Sequence, residues 1–399
     1  MNILHINTQL KGGAAKACIR LHEGLLRAGV ASKLLTLDET KTDVPEVYRY
    51  TDFYGNSLVK ASKKIAAKLA RRRRQAKLLS YPTASDGFFL VNSSFDITAN
   101  PLYKGADIIH LHWVNDFLDY PSFFKNNTKP IVWTTHDMTP FTGGYAFEQN
   151  FPFEAYEKLT RKQADIKKTC YENQSITVVT PSQWMKEKVE ASELMGNFPV
   201  HHIPNGIDTA IFKLTDKEEA RQKLRLPQDS CIVLFVAHNI SVKRKGFDIL
   251  LETVRTLYVN NVLLVVVGRE WEAPEKIPAH RYLGEVKSAE EMSLIYSAAD
   301  VFVMPSTEDN FPNTTIEALS CGTPVAGFNI GGVSEQIEHG ENGVLCEKTE
   351  AFALKNSILK LLQQHRFDRT EISKKAHEKY ALQVQSGRMK TIYNSILQG

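Results

Sequence analysis

The chain has 399 residues, more than one hydrophobic core comfortably supports, so two domains are expected. With 43% hydrophobic and 24% charged residues it has the make-up of an ordinary globular protein, and a formal charge of +4 is too small at this length to imply nucleic acid. The five cysteines (Cys18, Cys170, Cys231, Cys321 and Cys346) are scattered, odd in number and without Cys-x-x-Cys spacing, which points to a reducing compartment and no metal site.

The amino terminus, Met1-Asn2-Ile3-Leu4-His5-Ile6, lacks a basic region followed by a long apolar core and reads as a first strand rather than a signal peptide. No stretch has the apolar length needed to span a bilayer, so any membrane contact is expected to be peripheral. Short apolar runs then alternate with helical patterns, the mark of parallel α/β construction. In the first half the predicted strands are 3–7, 31–37, 107–112, 131–136 and 176–180. The stretch 200–206, Val-His-His-Ile-Pro-Asn-Gly, reads as a linker. The series restarts at 232–237, 263–268, 281–283, 301–304 and 325–328, and the tail from Ala381 to Leu397 is helical. The predicted domains are therefore 1–204 and 205–380, followed by a terminal helix in 381–399.

Candidate residues follow the same order. Gly12-Gly13 come after the first strand and before a helical segment, 14–28. Glycine there lets a backbone approach a diphosphate closely, although the pair is also an ordinary tight turn. From Lys60 to Lys77 the chain carries nine bases, Lys60, Lys63, Lys64, Lys68, Arg71, Arg72, Arg73, Arg74 and Lys77, with no acid between Asp52 and Asp86. Ile65, Leu69, Leu78 and Leu79 give it an intermittent apolar side, which suits an anionic membrane surface or a phosphorylated acceptor; a solvated helix is the plainer reading. Nucleic acid ranks last, because no aromatic residues interleave the charge. His110 and His112 are expected on opposite faces of one strand, one of them structural and His112, beside Trp113 at the strand end, facing a ligand. His136 stands at the end of the strand 131–136, followed by Asp137 and the turn Gly143-Gly144, and is expected to face a ligand as well. Lys245 follows the strand 232–237 by a loop that also holds Lys243 and Arg244, and precedes the helix start Gly246-Phe247-Asp248.

Asp309 and Glu317 bracket Asn310-Phe311-Pro312-Asn313-Thr314-Thr315-Ile316, between the apolar run 301–304 and a helical pattern closed by Gly322 and Pro324. A buried strand thus ends, a loop carries one acid, and a helix opens near Pro312 with Glu317 one turn in. Such a helix start offers unpaired N–H groups and the positive end of the dipole, which suits phosphate. Two acids beside it suit sugar hydroxyls, and phosphate plus polyol suggests a nucleotide sugar; helix capping alone is the bland alternative. Gly331-Gly332 are expected to feed a further helix from Val333.

On these residues the chain resembles glycosyltransferase family 4, the retaining transferases of GT-B architecture. The family pattern is Glu, seven residues, Glu, then a small-Gly-x-Pro turn and a Gly-Gly loop. Here the first acid is Asp309, with Glu308 directly before it, and either carboxylate is a candidate for the sugar. The resemblance implies an α/β fold of two doubly wound, Rossmann-like parallel-sheet domains facing a central cleft, with the terminal helix packing back on the first. It also implies His136, Asp309 and Lys245 as catalytic residues. Donor binding falls to Gly12, Gly13, Arg244, Lys245, Asn310, Phe311, Pro312, Asn313, Thr314 and Glu317, with His112 and Trp113 on the acceptor side. Arg244 stands in for an arginine that the family places where this chain has Ala237-His238. The implied reaction is transfer, with retention, from a nucleoside-diphosphate sugar to a glycan or lipid-diphosphate-linked acceptor in cell-surface polysaccharide assembly. No metal, cofactor or nucleic acid is expected, and the implied location is cytoplasmic, peripheral on the inner face of the membrane. Two rivals are a sugar-nucleotide epimerase of the same architecture and a non-catalytic adaptor binding through 60–77.

Overall fold

Runs of Val, Ile and Leu bounded by Pro and Gly pair as parallel strands in two separate sheets. The structure, a computed structural model, describes residues 1–398 apart from 39–41, 54–64, 66–67, 70–71, 73–75, 77, 84–86, 258–260, 272–276 and 364–366. The chain divides into two compact units, Met1–Pro204 with Gln385–Gly399, and Asn205–Val384.

The first unit holds β1 (Asn2–Ile6), β2 (Ala31–Thr36), β3 (Val47–Arg49), β4 (Ile108–Leu111), β5 (Ile131–Thr134), β6 (Ile176–Thr180) and β7 (Val200–His202). They lie in the order β3-β2-β1-β4-β5-β6-β7, and every pairing is parallel. The strand order reverses between β1 and β4, so the loops after those two neighbouring strands leave the sheet side by side at its carboxyl edge. Strands β4 and β5 are buried at every position, which is why they read as continuous apolar runs rather than as alternation.

Alternate residues serve opposite layers. Leu4, Ile6, Ile109, Leu111, Ile131 and Trp133 pack into one core. Ile3, Ile108 and Val132 pack into the other, with Leu21 and Leu25 of the helix Gly13–Arg27 and Met389, Ile392 and Tyr393 of the helix Leu382–Gln398. That second layer also carries an unusual polar inlay of histidines, described below.

In the second unit β8 (Cys231–Asn239), β9 (Val262–Arg269), β10 (His280–Gly284), β11 (Val301–Met304), β12 (Val325–Phe328) and β13 (Gly343–Cys346) lie in the order β10-β9-β8-β11-β12-β13, again all parallel. Here the order reverses between β8 and β11, so the loop holding Lys245 and the loop holding Asp309 leave the sheet side by side.

The structure corrects several sequence expectations. The stretch from Val200 is not simply a linker: Val200–His202 is an edge strand paired with β6, too short and too exposed to show an apolar run. Likewise β3 and β13, of 3 and 4 residues, carry no period long enough to read. Strands β4 and β5 stop at Leu111 and Thr134, so His112 and His136 sit just past the last paired residues. Gly331–Val333 forms a single 3-10 turn instead of feeding a helix from Val333. Most of the basic segment 60–77 lies outside the described residues. Among the described residues no helix is long and apolar enough to cross a membrane.

Candidate functional site

In the second unit, the approach of the β8 and β11 loops depends on Gly246. It has φ +67°, and a Cβ there would sit 1.9 Å from the Pro305 carbonyl oxygen, so only glycine permits the contact. The Thr307 N–H closes the junction by donating to the Arg244 carbonyl at 2.9 Å. Three charged side chains meet there. Lys245 Nζ donates to Asp309 Oδ2 at 2.6 Å, and Arg244 Nη1 stands 3.5 Å from the same oxygen. Arg244 Nη1 also donates to the Glu308 carbonyl at 2.7 Å. The Asp309 carboxylate thus faces both cations. Burial alone would raise the Asp309 carboxyl, but the Lys245 ammonium and the Arg244 guanidinium outweigh it and hold the group below its usual value. Gly332 N–H donates to the Asp309 carbonyl at 3.0 Å, and a Cβ on Gly331 would lie 2.3 Å from that oxygen. The Gly-Gly loop thus braces the backbone of Asp309.

Three residues further on, Pro312 begins the helix Asn313–Ser320, whose amino end has no side-chain cap. Asn310, Phe311 and Asn313 are buried around it, and Thr314 is half-buried. Asn205 Nδ2 donates to Asn313 Oδ1 at 3.0 Å, and Gln336 Nε2 donates to the Pro312 carbonyl at 3.2 Å. Phe311 packs against Tyr380 at 5.9 Å. Glu317 is 2% exposed, and Tyr296 Oη donates to its Oε2 at 2.8 Å. Sequence reasoning missed Tyr296 and Asn205; the first looks like any buried aromatic of the helix Ala289–Ala298, and the second like a turn residue.

In the first unit, the loops after β1 and β4 are stitched together. Trp113 N–H donates to Asn7 Oδ1 at 3.0 Å and Thr8 N–H donates to the Trp113 carbonyl at 2.8 Å. Gly12, at φ +93°, leads into the helix Gly13–Arg27, whose amino end again has no side-chain cap. Trp113 Nε1 donates to Asp137 Oδ2 at 2.9 Å, while Thr139 donates to Asp137 Oδ1 from its amide at 2.9 Å and from its hydroxyl at 2.5 Å. Beneath this loop the buried Lys167 ammonium donates to the carbonyls of Thr139 and Thr142, and burial brings its pKa down to about 7.

The histidines behave differently from expectation. His110 and His112 do not face opposite ways: residues two apart on a strand share a face, and their rings stack at 4.1 Å. His112 is 3% exposed; its Nε2 lies 2.9 Å from His5 Nδ1 and its Nδ1 lies 3.1 Å from His136 Nε2. His110 pairs with Tyr393 Oη at 2.6 Å and Thr134 Oγ1 at 2.8 Å. One nitrogen each of His5, His110 and His112 falls within 4.8 Å of the others, a grouping that also suits a metal ion and that sequence reading, which expected none, did not anticipate. Burial pushes the pKa values of His5, His110 and His112 well down, and that of His136 down to about 4.

Stability should therefore depend on pH with a definite sign. The folded chain keeps these rings neutral, whereas in the unfolded chain they protonate near pH 6.5. Their contribution is fully present above about pH 6.5 and is lost as pH falls from there toward the folded value of about 4 for His136. Thermal midpoints recorded across this range should drop steadily; a flat profile would contradict neutral burial.

A family model described as Glycosyltransferase Family 4 matches residues 11–211, and one described as Glycosyl transferases group 1 matches residues 216–379. D-inositol 3-phosphate glycosyltransferase of Acidothermus cellulolyticus is 31% identical over 279 residues, which are 64% of this chain and 59% of that protein. Capsular polysaccharide biosynthesis glycosyltransferase CapM of Staphylococcus aureus is 24% identical over 237 residues, 55% of this chain and 62% of CapM. The chain thus spans about three fifths of the length of these relatives. Sucrose-phosphate synthase from Thermosynechococcus elongatus shares the fold with a TM-score of 0.70 at 20% identity, covering 100% of this chain and 99% of that one. Anabaena HepE in complex with UDP-glucose does so with a TM-score of 0.68 at 17% identity, covering 99% of this chain and 100% of that one. The two doubly wound units have the GT-B fold, and the chain belongs to glycosyltransferase family 4.

Proposed function

We propose that this chain is a retaining glycosyltransferase that moves a sugar from a nucleoside-diphosphate sugar to a hydroxyl of a glycan or lipid-linked acceptor, in the assembly of a cell-surface polysaccharide. The observation that carries the reading is the Lys245–Asp309 pair, 2.6 Å apart, three residues ahead of an uncapped helix start. Cations and helix amides together suit a diphosphate, and the neighbouring carboxylates suit hydroxyl groups. The names of similar proteins agree with this chemistry: HepE is described with UDP-glucose, and CapM with capsular polysaccharide.

On this reading Lys245, Arg244 and the amides from Asn313 neutralise the departing diphosphate, with the Gly12-Gly13 backbone contributing. Asp309 and His136 hold the donor sugar, Glu317 accepts from the ribose hydroxyls, and Trp113 serves the acceptor. The anomeric carbon–oxygen bond to the diphosphate breaks as the acceptor oxygen bonds to the same face, and a phosphate oxygen takes the acceptor's proton. The protein's own cations do the neutralising, with no metal or cofactor, and the work is done in the cytoplasm at the membrane's inner face.

A panel of UDP-, GDP- and ADP-sugars, offered with and without glycan acceptors, tests the proposal. One donor should be consumed with release of its nucleoside diphosphate, and the transferred sugar should keep its anomeric configuration. Interconversion of the donor with no diphosphate released would instead identify an epimerase. Binding of none of the panel would favour an adaptor.

A further inference from the structure

Three imidazoles run in one hydrogen-bonded line from the interior of the first unit to the end of β5. His5 Nδ1 meets His112 Nε2 at 2.9 Å, and His112 Nδ1 meets His136 Nε2 at 3.1 Å. His5 is 0% exposed and His112 is 3% exposed, and burial keeps both neutral near pH 7. A neutral imidazole carries one N–H and one lone pair, so the two bonds must run in the same direction. A reversal at either junction would set two lone pairs, or two N–H groups, against each other.

Only two arrangements remain. Either all three rings carry the proton on Nδ1 and donate outward from His5, or all carry it on Nε2 and donate inward from His136. The inner end decides between them. His5 Nε2 is buried and has no hydrogen-bond partner among the described residues. In the inward arrangement that atom would be an orphaned buried N–H, whereas in the outward one it is merely an unfilled acceptor. Buried donors without partners are the rarer and costlier of the two.

We infer that His5 and His112 are positioning residues that lock His136 into the Nδ1–H form, so that His136 meets a sugar hydroxyl as a hydrogen-bond donor. The role rests on the proposed contact between His136 and the donor sugar, but the lock belongs to the free protein. A metal held between His5 Nδ1 and His112 Nε2 fits the geometry less well. Two nitrogens on one tetrahedral zinc at about 2.0–2.1 Å each stand farther apart than 2.9 Å, and both nitrogens of His110 are already engaged.

The experiment uses the full chain labelled with nitrogen-15 histidine and no donor present. Long-range nitrogen–proton correlation spectra of wild type, assigned through the variants, should show His136 as the pure Nδ1–H tautomer. In His112→Phe the His136 signals should move to a mixture of tautomers. His5→Asn, whose amide nitrogen falls near the position of Nδ1, should keep the wild-type pattern, while His5→Leu should lose it. Transfer rates should follow, falling about tenfold in His5→Leu and His112→Phe and recovering in His5→Asn, as expected for one neutral hydrogen bond. An Nε2–H form of His136 in wild type, a His136 pattern unchanged in the folded His5→Leu protein, or one equivalent of bound zinc in purified protein would each overturn the inference. If the tautomer locks as stated and no sugar is transferred, the proposed activity fails and the lock stands.

Discussion

Lys245→Ala should lower sugar transfer by about 100-fold or more, the range found when one preorganised group that stabilises transition-state charge is removed. In the structure the Lys245 ammonium rests on Asp309 Oδ2 at 2.6 Å, with Arg244 3.5 Å from the same oxygen. The Asp309 carboxylate therefore occupies the cation until a diphosphate competes for it. Removing Lys245 also leaves a 7% exposed carboxylate with a single cation, so some stability should be lost. Arg244 and the glycine-built loop junction remain, and the fold should hold. Steady-state transfer and thermal unfolding, measured side by side, separate the two effects. A rate near wild type in a folded Lys245→Ala protein would remove this lysine from the chemistry.

Glu317→Ala should produce a loss of similar size, with a larger structural share. Glu317 is 2% exposed and Tyr296, whose hydroxyl it accepts, is 0% exposed. Truncation leaves that hydroxyl without its acceptor in a closed site, at about 1–3 kcal/mol. Two companions divide the loss. Tyr296→Phe removes the inner hydrogen bond and should cost about 1 kcal/mol of stability with little change in KM for the donor. Glu317→Gln keeps the volume but halves the accepting capacity, and should raise KM for the donor. Wild-type kinetics in Glu317→Ala, or equal effects of Glu317→Gln and Tyr296→Phe on KM, would make Glu317 a packing residue.

Much of this site was legible in the sequence because the site lies where strands end. Apolar runs such as Val301–Met304 announce a strand buried on both faces, and the residues just beyond it are then placed at its carboxyl end without further information. Lys245 and Asp309 could be singled out in that way, each in the loop after its own strand. Their partnership could not, since 64 residues separate them and only the adjacency of β8 and β11 joins them. Tyr296 was hidden for the same reason: its hydroxyl matters through a contact across 21 residues. The histidine line was misread on geometry. Period-two alternation puts His110 and His112 on one face, and β1 beside β4 brings His5 to them. Short edge strands such as Val200–His202 carry too few apolar residues for any period to register.

The central claim is that the second unit holds a diphosphate at Lys245 and the start of the helix Asn313–Ser320. A crystal structure with the preferred nucleoside diphosphate tests it most directly. Its phosphate oxygens should lie within hydrogen-bond distance of Lys245 Nζ and of the backbone amides that open the helix, with the Lys245–Asp309 contact lengthened. An ordered diphosphate bound elsewhere, with Lys245 still on Asp309 and the helix amides untouched, would contradict the account.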